Sequence, residues 1–233
     1  MQIVVPMAGA GKRFSDAGYT VPKPLIPVSG QPMVVQAVQD LPPAGRILFL
    51  CQVDHLRLFP LEETLCGRFP QAIVIPVEGL TEGQASTVRL AGSFLDPNEP
   101  VIVAACDNTH LYEPQKHLQL LEDETIEAAV WTYRGEPRVL VAPQMYGWVR
   151  THKDSTDILE VSVKRPISDN PLEDPVVSGT FTFRKAGVML DAIDELVRLN
   201  HRVNGEFYMD SVPNLLIRRG RRAVVFEVEK YIG

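Results

Sequence analysis

The chain opens on a short unbroken apolar run, residues 3–5 (Ile-Val-Val), and runs of the same kind recur at 46–53 (RILFLCQV), 72–77 (AIVIPV) and 101–106 (VIVAAC). Between them the apolar positions change to helical spacing: Val34, Val35, Val38 and Leu41, then Leu58, Leu61 and Leu65, then Val88, Ala91 and Leu95. Strands that are apolar on both faces need cover on both faces, so this alternation predicts a parallel sheet with helices on each side. Beyond about residue 126 the pattern changes. Strand-like pieces at 128–133, 145–150, 158–163 and 176–184 are separated by Pro, Gly, Asp and Asn. Met189, Ile193, Leu196 and Val197 mark a helix, and 222–228 a last strand. With no low-complexity linker and no internal repeat, the pattern predicts one α/β domain over 1–233. Its sheet is mixed but mostly parallel, with a first half over 1–125 and an antiparallel addition over 126–233.

Composition narrows the picture. Hydrophobic residues make up 45% and charged residues 22% of 233 positions, which suits a globular chain with a substantial core. A net charge of −6 without a long basic block argues against a nucleic-acid surface. The cluster Arg218, Arg219, Arg221 and Arg222 reads as the solvated flank of a strand. Cys51, Cys66 and Cys106 are odd in number and fit no zinc spacing; Cys51 and Cys106 end apolar runs and read as buried thiols. No apolar run reaches the ~18 residues of a membrane span, and no apolar leader with a basic start opens the sequence. A cytoplasmic protein without a membrane partner is the expectation, with self-association left open.

The candidate chemistry begins directly after the first run. Ala8-Gly9-Ala10-Gly11 is followed by Lys12 and Arg13, and Lys23 lies between Pro22 and Pro24. A Walker A loop would need glycine where Pro6 stands and Ser or Thr where Arg13 stands; a dinucleotide fingerprint would need glycine at Phe14. What remains is a loop whose amides can face phosphates, with Arg13 and Lys23 supplying charge. A tight turn in which the glycines only permit positive φ accounts for the loop equally well. Lys23 tips the balance, because Pro22 and Pro24 stiffen its segment and predict extended Val21 and Lys23. Asp107 follows the run 101–106, at a strand end where α/β sheets bind ligands, and a hard oxygen ligand there suits Mg²⁺. A plain turn at Asp107-Asn108 is the alternative. Glu82-Gly83-Gln84 precedes a helical pattern, where Glu82 or Gln84 can read a base edge, or Thr81 can simply cap the helix. The five histidines show no ligand spacing and are expected at the surface.

The stretch MAGAGKRF…VPKPLIPVSGQPM resembles the N-terminal signature of sugar-phosphate nucleotidylyltransferases, the NDP-sugar pyrophosphorylases. The resemblance implies a Rossmann-like, GT-A-like fold of the nucleotide-diphospho-sugar transferase kind, with a nucleotide-binding half and an acceptor-binding half. It implies an NTP held by Ala8, Gly9, Ala10, Gly11 and Lys12, with Arg13 and Lys23 catalytic at the reacting phosphates. Glu82, Gly83 and Gln84 resemble the base-recognition loop, and Asp107 the strand-end metal aspartate. Lys12 replaces a small Thr or Ser of many members, and Cys106 replaces Gly or Ser. In the second half Val163-Lys164-Arg165-Pro166 resembles a Glu-Lys-Pro segment without its glutamate, and Ser178-Gly179-Thr180-Phe181 the glycine strand beside the sugar. The segment 204–210 resembles the one that returns a second metal ligand, here Asp210, with Glu206 as the alternative. Asn108, Lys164, Gly179 and Glu206 are thereby assigned to the acceptor. The activity implied is Mg²⁺-dependent transfer of a nucleotidyl group to a small phosphorylated acceptor. The missing glutamate leaves sugar and non-sugar phosphates open. A glycosyltransferase of the same fold would carry a second aspartate after Asp107, where Asn108-Thr109 stand. A non-catalytic nucleotide-binding module would not need Arg13, Lys23 and Asp107 together.

Overall fold

A computed structural model describes residues 1–233. In chain order the strands are β1 (Gln2–Met7), β2 (Pro27–Val28), β3 (Gln31–Pro32), β4 (Arg46–Gln52), β5 (Ala72–Val77), β6 (Val101–Val103), β7 (Thr109–Leu111), β8 (Ile126–Tyr133), β9 (Gly147–Thr151), β10 (Ile158–Val163), β11 (Val176–Phe183), β12 (Arg222–Glu227) and β13 (Lys230–Ile232). The helices are α1 (Lys12–Asp16), α2 (Met33–Val38), α3 (Val53–Leu58), α4 (Leu61–Arg68), α5 (Gln84–Arg89), α6 (Pro114–Glu122), α7 (Ala186–Arg198) and α8 (Val212–Arg218).

Nine strands form one mixed sheet. Its first half, β5-β4-β1-β6, is parallel, as the apolar runs predict. Neighbouring residues of these runs enter opposite core layers: Val4, Leu48 and Leu50 pack with α5, α7 and α8, whereas Ile3, Val5 and Phe49 pack with α2 and α4. Burial on both faces is why the runs carry no polar alternation.

The second half is joined through β11, which runs antiparallel to β6, β8 and β9. Strand β8 pairs with both ends of β11, so β6 and β9 share its other edge, β9 at Val176 and β6 at residues 181–183. Between those two contacts the register shifts and Gly179 adopts φ +92°, a left-handed conformation that favours glycine. The sheet therefore opens along one edge of β11. Residues 104–108 leave β6 on one side of that gap, and β9 begins on the other.

Several expectations are corrected. The run 101–106 is strand only to Val103; the Ala104 N–H still bonds the Val4 carbonyl at 2.9 Å before the chain departs. Leu58, Leu61 and Leu65 do not share a helix, because Pro60 separates α3 from α4. His110 and His117 are buried rather than at the surface. His117 Nε2 lies 3.1 Å from Thr182 Oγ1, neither nitrogen of His110 has a partner, and both rings pack on Trp131. Burial pushes both imidazoles down to about 4. Cys51 and Cys106 are buried free thiols, as expected. Of the arginine cluster, Arg219 pairs with Glu195, Arg221 with Glu127 at 3.3 Å, and Arg222 with Asp123 and Asp157 at 2.9 and 2.6 Å. No helix is long and apolar enough to cross a membrane.

Candidate active site

Strand β1 ends at Met7 and the chain turns through residues 8–11 into α1. Gly11, at φ +60°, sits where an L side chain would be strained. Gly9 is different: its φ is ordinary, and a Cβ there would meet nothing within 4 Å. Neither strain nor protein packing requires glycine at position 9. The amides of Gly9, Ala10 and Gly11 donate to no group of the protein. Consecutive amides of this kind form an anion-binding concavity. A cavity of about 480 Å³ on one side is lined by Gly9, Ala10, Gly11, Lys12, Arg13 and Lys23. One of about 240 Å³ on the other is lined by Ala8, Gly9, Ala10, Gly83, Gln84 and Glu206.

Lys12 and Arg13 are exposed, and neither enters any of the chain's ion pairs. Lys23 is not extended. It begins a single 3₁₀ turn over Lys23–Leu25, in which the Leu25 N–H bonds the Pro22 carbonyl at 2.9 Å and the Ile26 N–H bonds the Lys23 carbonyl at 3.2 Å. The turn aims its ammonium at Asp107: Nζ lies 2.5 Å from Oδ2, with the two side chains 22% and 32% exposed. Asn108, next in sequence, is buried, and donates to the Ser178 carbonyl at 3.0 Å while its own Oδ1 has no partner. A Cβ on Gly179 would lie 3.5 Å from Ala105 Cβ and 3.8 Å from Asn108 Nδ2. Asp107, Asn108 and Gly179 thus meet at the gap in the sheet.

Across the gap, Asp210 lies in a 3₁₀ turn, Met209–Ser211, just ahead of α8. It is buried, no side chain hydrogen-bonds its carboxyl, and burial pushes that carboxyl up to about 6 against the opposing pull of Lys164. Gly147 opens β9 directly against it; a Cβ there would collide with Asp210 Oδ2. Lys164 donates to the Met145 carbonyl and lies 5.3 Å from the Tyr208 ring centroid. Burial lowers its ammonium pKa, Asp210 and Glu206 oppose that shift, and Arg13 adds to it, which places all four groups within electrostatic reach.

The segment 81–85 is bound to the second half. The Phe207 N–H bonds the Glu82 carbonyl at 2.8 Å and the Ala85 N–H bonds the Phe207 carbonyl at 3.0 Å. A Cβ on Gly83, at φ +119°, would lie 2.7 Å from the Phe207 nitrogen and oxygen, so only glycine fits. The Glu82 carboxylate is held by Arg202 at 2.6 Å, and that guanidinium lies 4.0 Å over the Phe207 ring. Gln84 and Glu206 are left to line the smaller cavity. Gly83, not Thr81, caps α5; Thr81 Oγ1 instead lies 2.6 Å from Thr87 Oγ1. Sequence reasoning missed Arg202, Phe207 and Gly147. A glycine opening a strand is a signal of close approach; the first two offered none.

A mixed α/β sheet thus carries a free-amide glycine loop after its first strand, with a lysine–aspartate pair beside it. Comparison with known proteins makes this specific. The family of the MobA-like NTP transferase domain matches residues 3–177, and the chain belongs to it. The bifunctional protein GlmU of Staphylococcus epidermidis is 24% identical over 234 residues, covering 98% of this chain and 48% of the relative. A 2-aminoethylphosphonate cytidylyltransferase of Lancefieldella rimae is 27% identical over 119 residues, 48% of this chain and 46% of that protein. The chain thus spans about half the length of the GlmU relatives it matches. A nucleoside-diphosphate-sugar pyrophosphorylase structure from Vibrio cholerae RC9 shares the fold, with a TM-score of 0.74 and 23% identity over 97% of this chain and 91% of that one.

Proposed function

We propose that the protein joins an NTP to a small phosphorylated acceptor and releases pyrophosphate. The observation that carries this reading is the Lys23–Asp107 pair at 2.5 Å, set between the loop of free amides and the gap where Asn108 meets Gly179, Lys164 and Asp210 of the second half. An acceptor phosphate oxygen attacks the α-phosphorus; the bond to the β-phosphate oxygen breaks and pyrophosphate leaves with its electrons. A phosphate monoester has its second pKa near ~6 and arrives mostly dianionic, so no protein base is needed. The work is to bring two anions together and hold the leaving group, which is positioning and electrostatics. In this reading the loop amides and Arg13 hold the pyrophosphate, Lys23 offsets repulsion at the α-phosphate, and Lys164 and Asn108 face the acceptor.

In this reading Asp107 and Asp210 would hold Mg²⁺, supported by Asp210 being a buried carboxylate with no side-chain partner, since one or two carboxylates plus substrate phosphates are a usual magnesium set. When bound, the ion would neutralise charge on the phosphates. Free buried thiols at Cys51 and Cys106 support a cytoplasmic setting. For the acceptor, the Vibrio structure is named for a nucleoside-diphosphate sugar and the Lancefieldella relative for an aminoalkylphosphonate, so both classes enter the test. Each NTP is incubated with Mg²⁺ and a panel of sugar phosphates and aminoalkylphosphonates, and pyrophosphate is measured. Acceptor-dependent release supports the proposal, and no release with any pairing overturns it. Lys23→Ala is expected to lower kcat by about 100-fold or more while changing NTP affinity by less than about tenfold.

A further inference from the structure

Strands β1 and β4 run in parallel register from the pair Gln2 and Arg46 to the pair Met7 and Cys51. One residue further the ladder stops, because β1 passes into the glycine loop and β4 into α3. Gln52, the last residue of β4, continues it with its side chain: Nε2 donates to the Ala8 carbonyl at 2.7 Å and to the Gly9 carbonyl at 3.3 Å. In a planar trans peptide the C=O of one residue and the N–H of the next point in opposite directions. Holding the carbonyls of Ala8 and Gly9 toward Gln52 therefore aims the N–H groups of Gly9 and Ala10 away from it. Those amides have no protein acceptor, and their residues line both cavities.

We infer that Gln52 is a positioning residue that sets the polarity of the glycine loop, so that a pyrophosphate group meets N–H donors rather than carbonyl oxygens. The inference rests on the reading that this loop holds the leaving pyrophosphate. Its chemistry is specific: the two carbonyls need a neutral side chain with two N–H donors at this reach, which glutamine has and glutamate lacks. Gln52 touches no reacting atom and acts only through the two peptide planes.

The test compares wild type with Gln52→Leu, which removes both donors at similar volume, and Gln52→Glu, which presents oxygens to the carbonyls. Pyrophosphate and nucleoside monophosphate binding are measured by calorimetry on the full chain with Mg²⁺, beside NTP KM, kcat and Tm. Losing two hydrogen bonds is expected to raise the pyrophosphate Kd and the NTP KM about tenfold in Gln52→Leu, and further in Gln52→Glu. The nucleoside monophosphate Kd should move less than about threefold, because most of that ligand lies off the loop. A merely structural glutamine would lower Tm and weaken both ligands alike, and that result overturns the inference. So does an unchanged pyrophosphate Kd in both variants, or a wild type that does not bind pyrophosphate. A wild type that binds pyrophosphate with the expected Gln52 dependence, yet releases none from any NTP and acceptor, sinks the proposed activity and leaves the loop's polarity established.

Discussion

A methyl group at position 147 would stand where an oxygen of Asp210 stands, so Gly147→Ala must push that carboxyl out of place. Displacements near 1 Å cost catalytic sites about 100-fold, and a loss of that order in kcat is expected. Comparison of folded fraction by circular dichroism separates it from unfolding; full activity in a folded variant would contradict the role given to Asp210. Gly9→Ala makes the opposite case, since its φ is ordinary and its surroundings in the protein are open. Tm should hold or rise slightly, as alanine restricts the unfolded chain by about 0.4–1 kcal/mol. NTP affinity should nevertheless fall, measured by calorimetry. At this scale proline and glycine announced the turns beside Arg13 and Lys23, though not the 3₁₀ form that the Lys23 segment takes. Glu82 was not legible, because Arg202, which holds it, is 120 positions away.

Among the elements, the loop 81–85 and the segment 204–210 are joined as one piece by two backbone hydrogen bonds and the Arg202–Glu82 pair. Arg202→Ala is expected to raise NTP KM by several-fold, up to about tenfold, with a smaller change in kcat. Hydrogen exchange should speed up in both segments together; faster exchange in only one would show that they are not coupled. The parallel strands of the first half were readable because both faces are buried, which leaves an unbroken apolar signature. Helix α6 was not, because its one buried residue is His117, so its apolar positions do not trace the core. Strands β7 and β13 have three residues each, too few for any periodicity to register.

For the molecule as a whole, His110 and His117 tie stability to pH. Folding lowers both pKa values from 6.5 to about 4, so between those pH values the unfolded chain binds more protons than the folded one. Stability is therefore complete above 6.5 and declines as pH falls toward 4, by roughly 3 kcal/mol for each histidine. Denaturant midpoints over pH 4–7 should show this slope, and His110→Phe should flatten it. That variant also removes ring nitrogens that have no partner, so its Tm at neutral pH should equal or exceed wild type. An unchanged slope in both His110→Phe and His117→Phe would rule the account out.

The sheet opened along β11 has a mechanical consequence. Because β6 and β9 hang from the same edge of one strand, the two halves of the sheet share one continuous hydrogen-bonded backbone. The span across the gap is set by covalent and hydrogen-bonded backbone, and ligand binding is expected to leave it unchanged. Small-angle scattering should then give the same radius of gyration with and without ligands, and acceptor choice can drift only by exchanging side chains along the gap, since the angle across it is fixed.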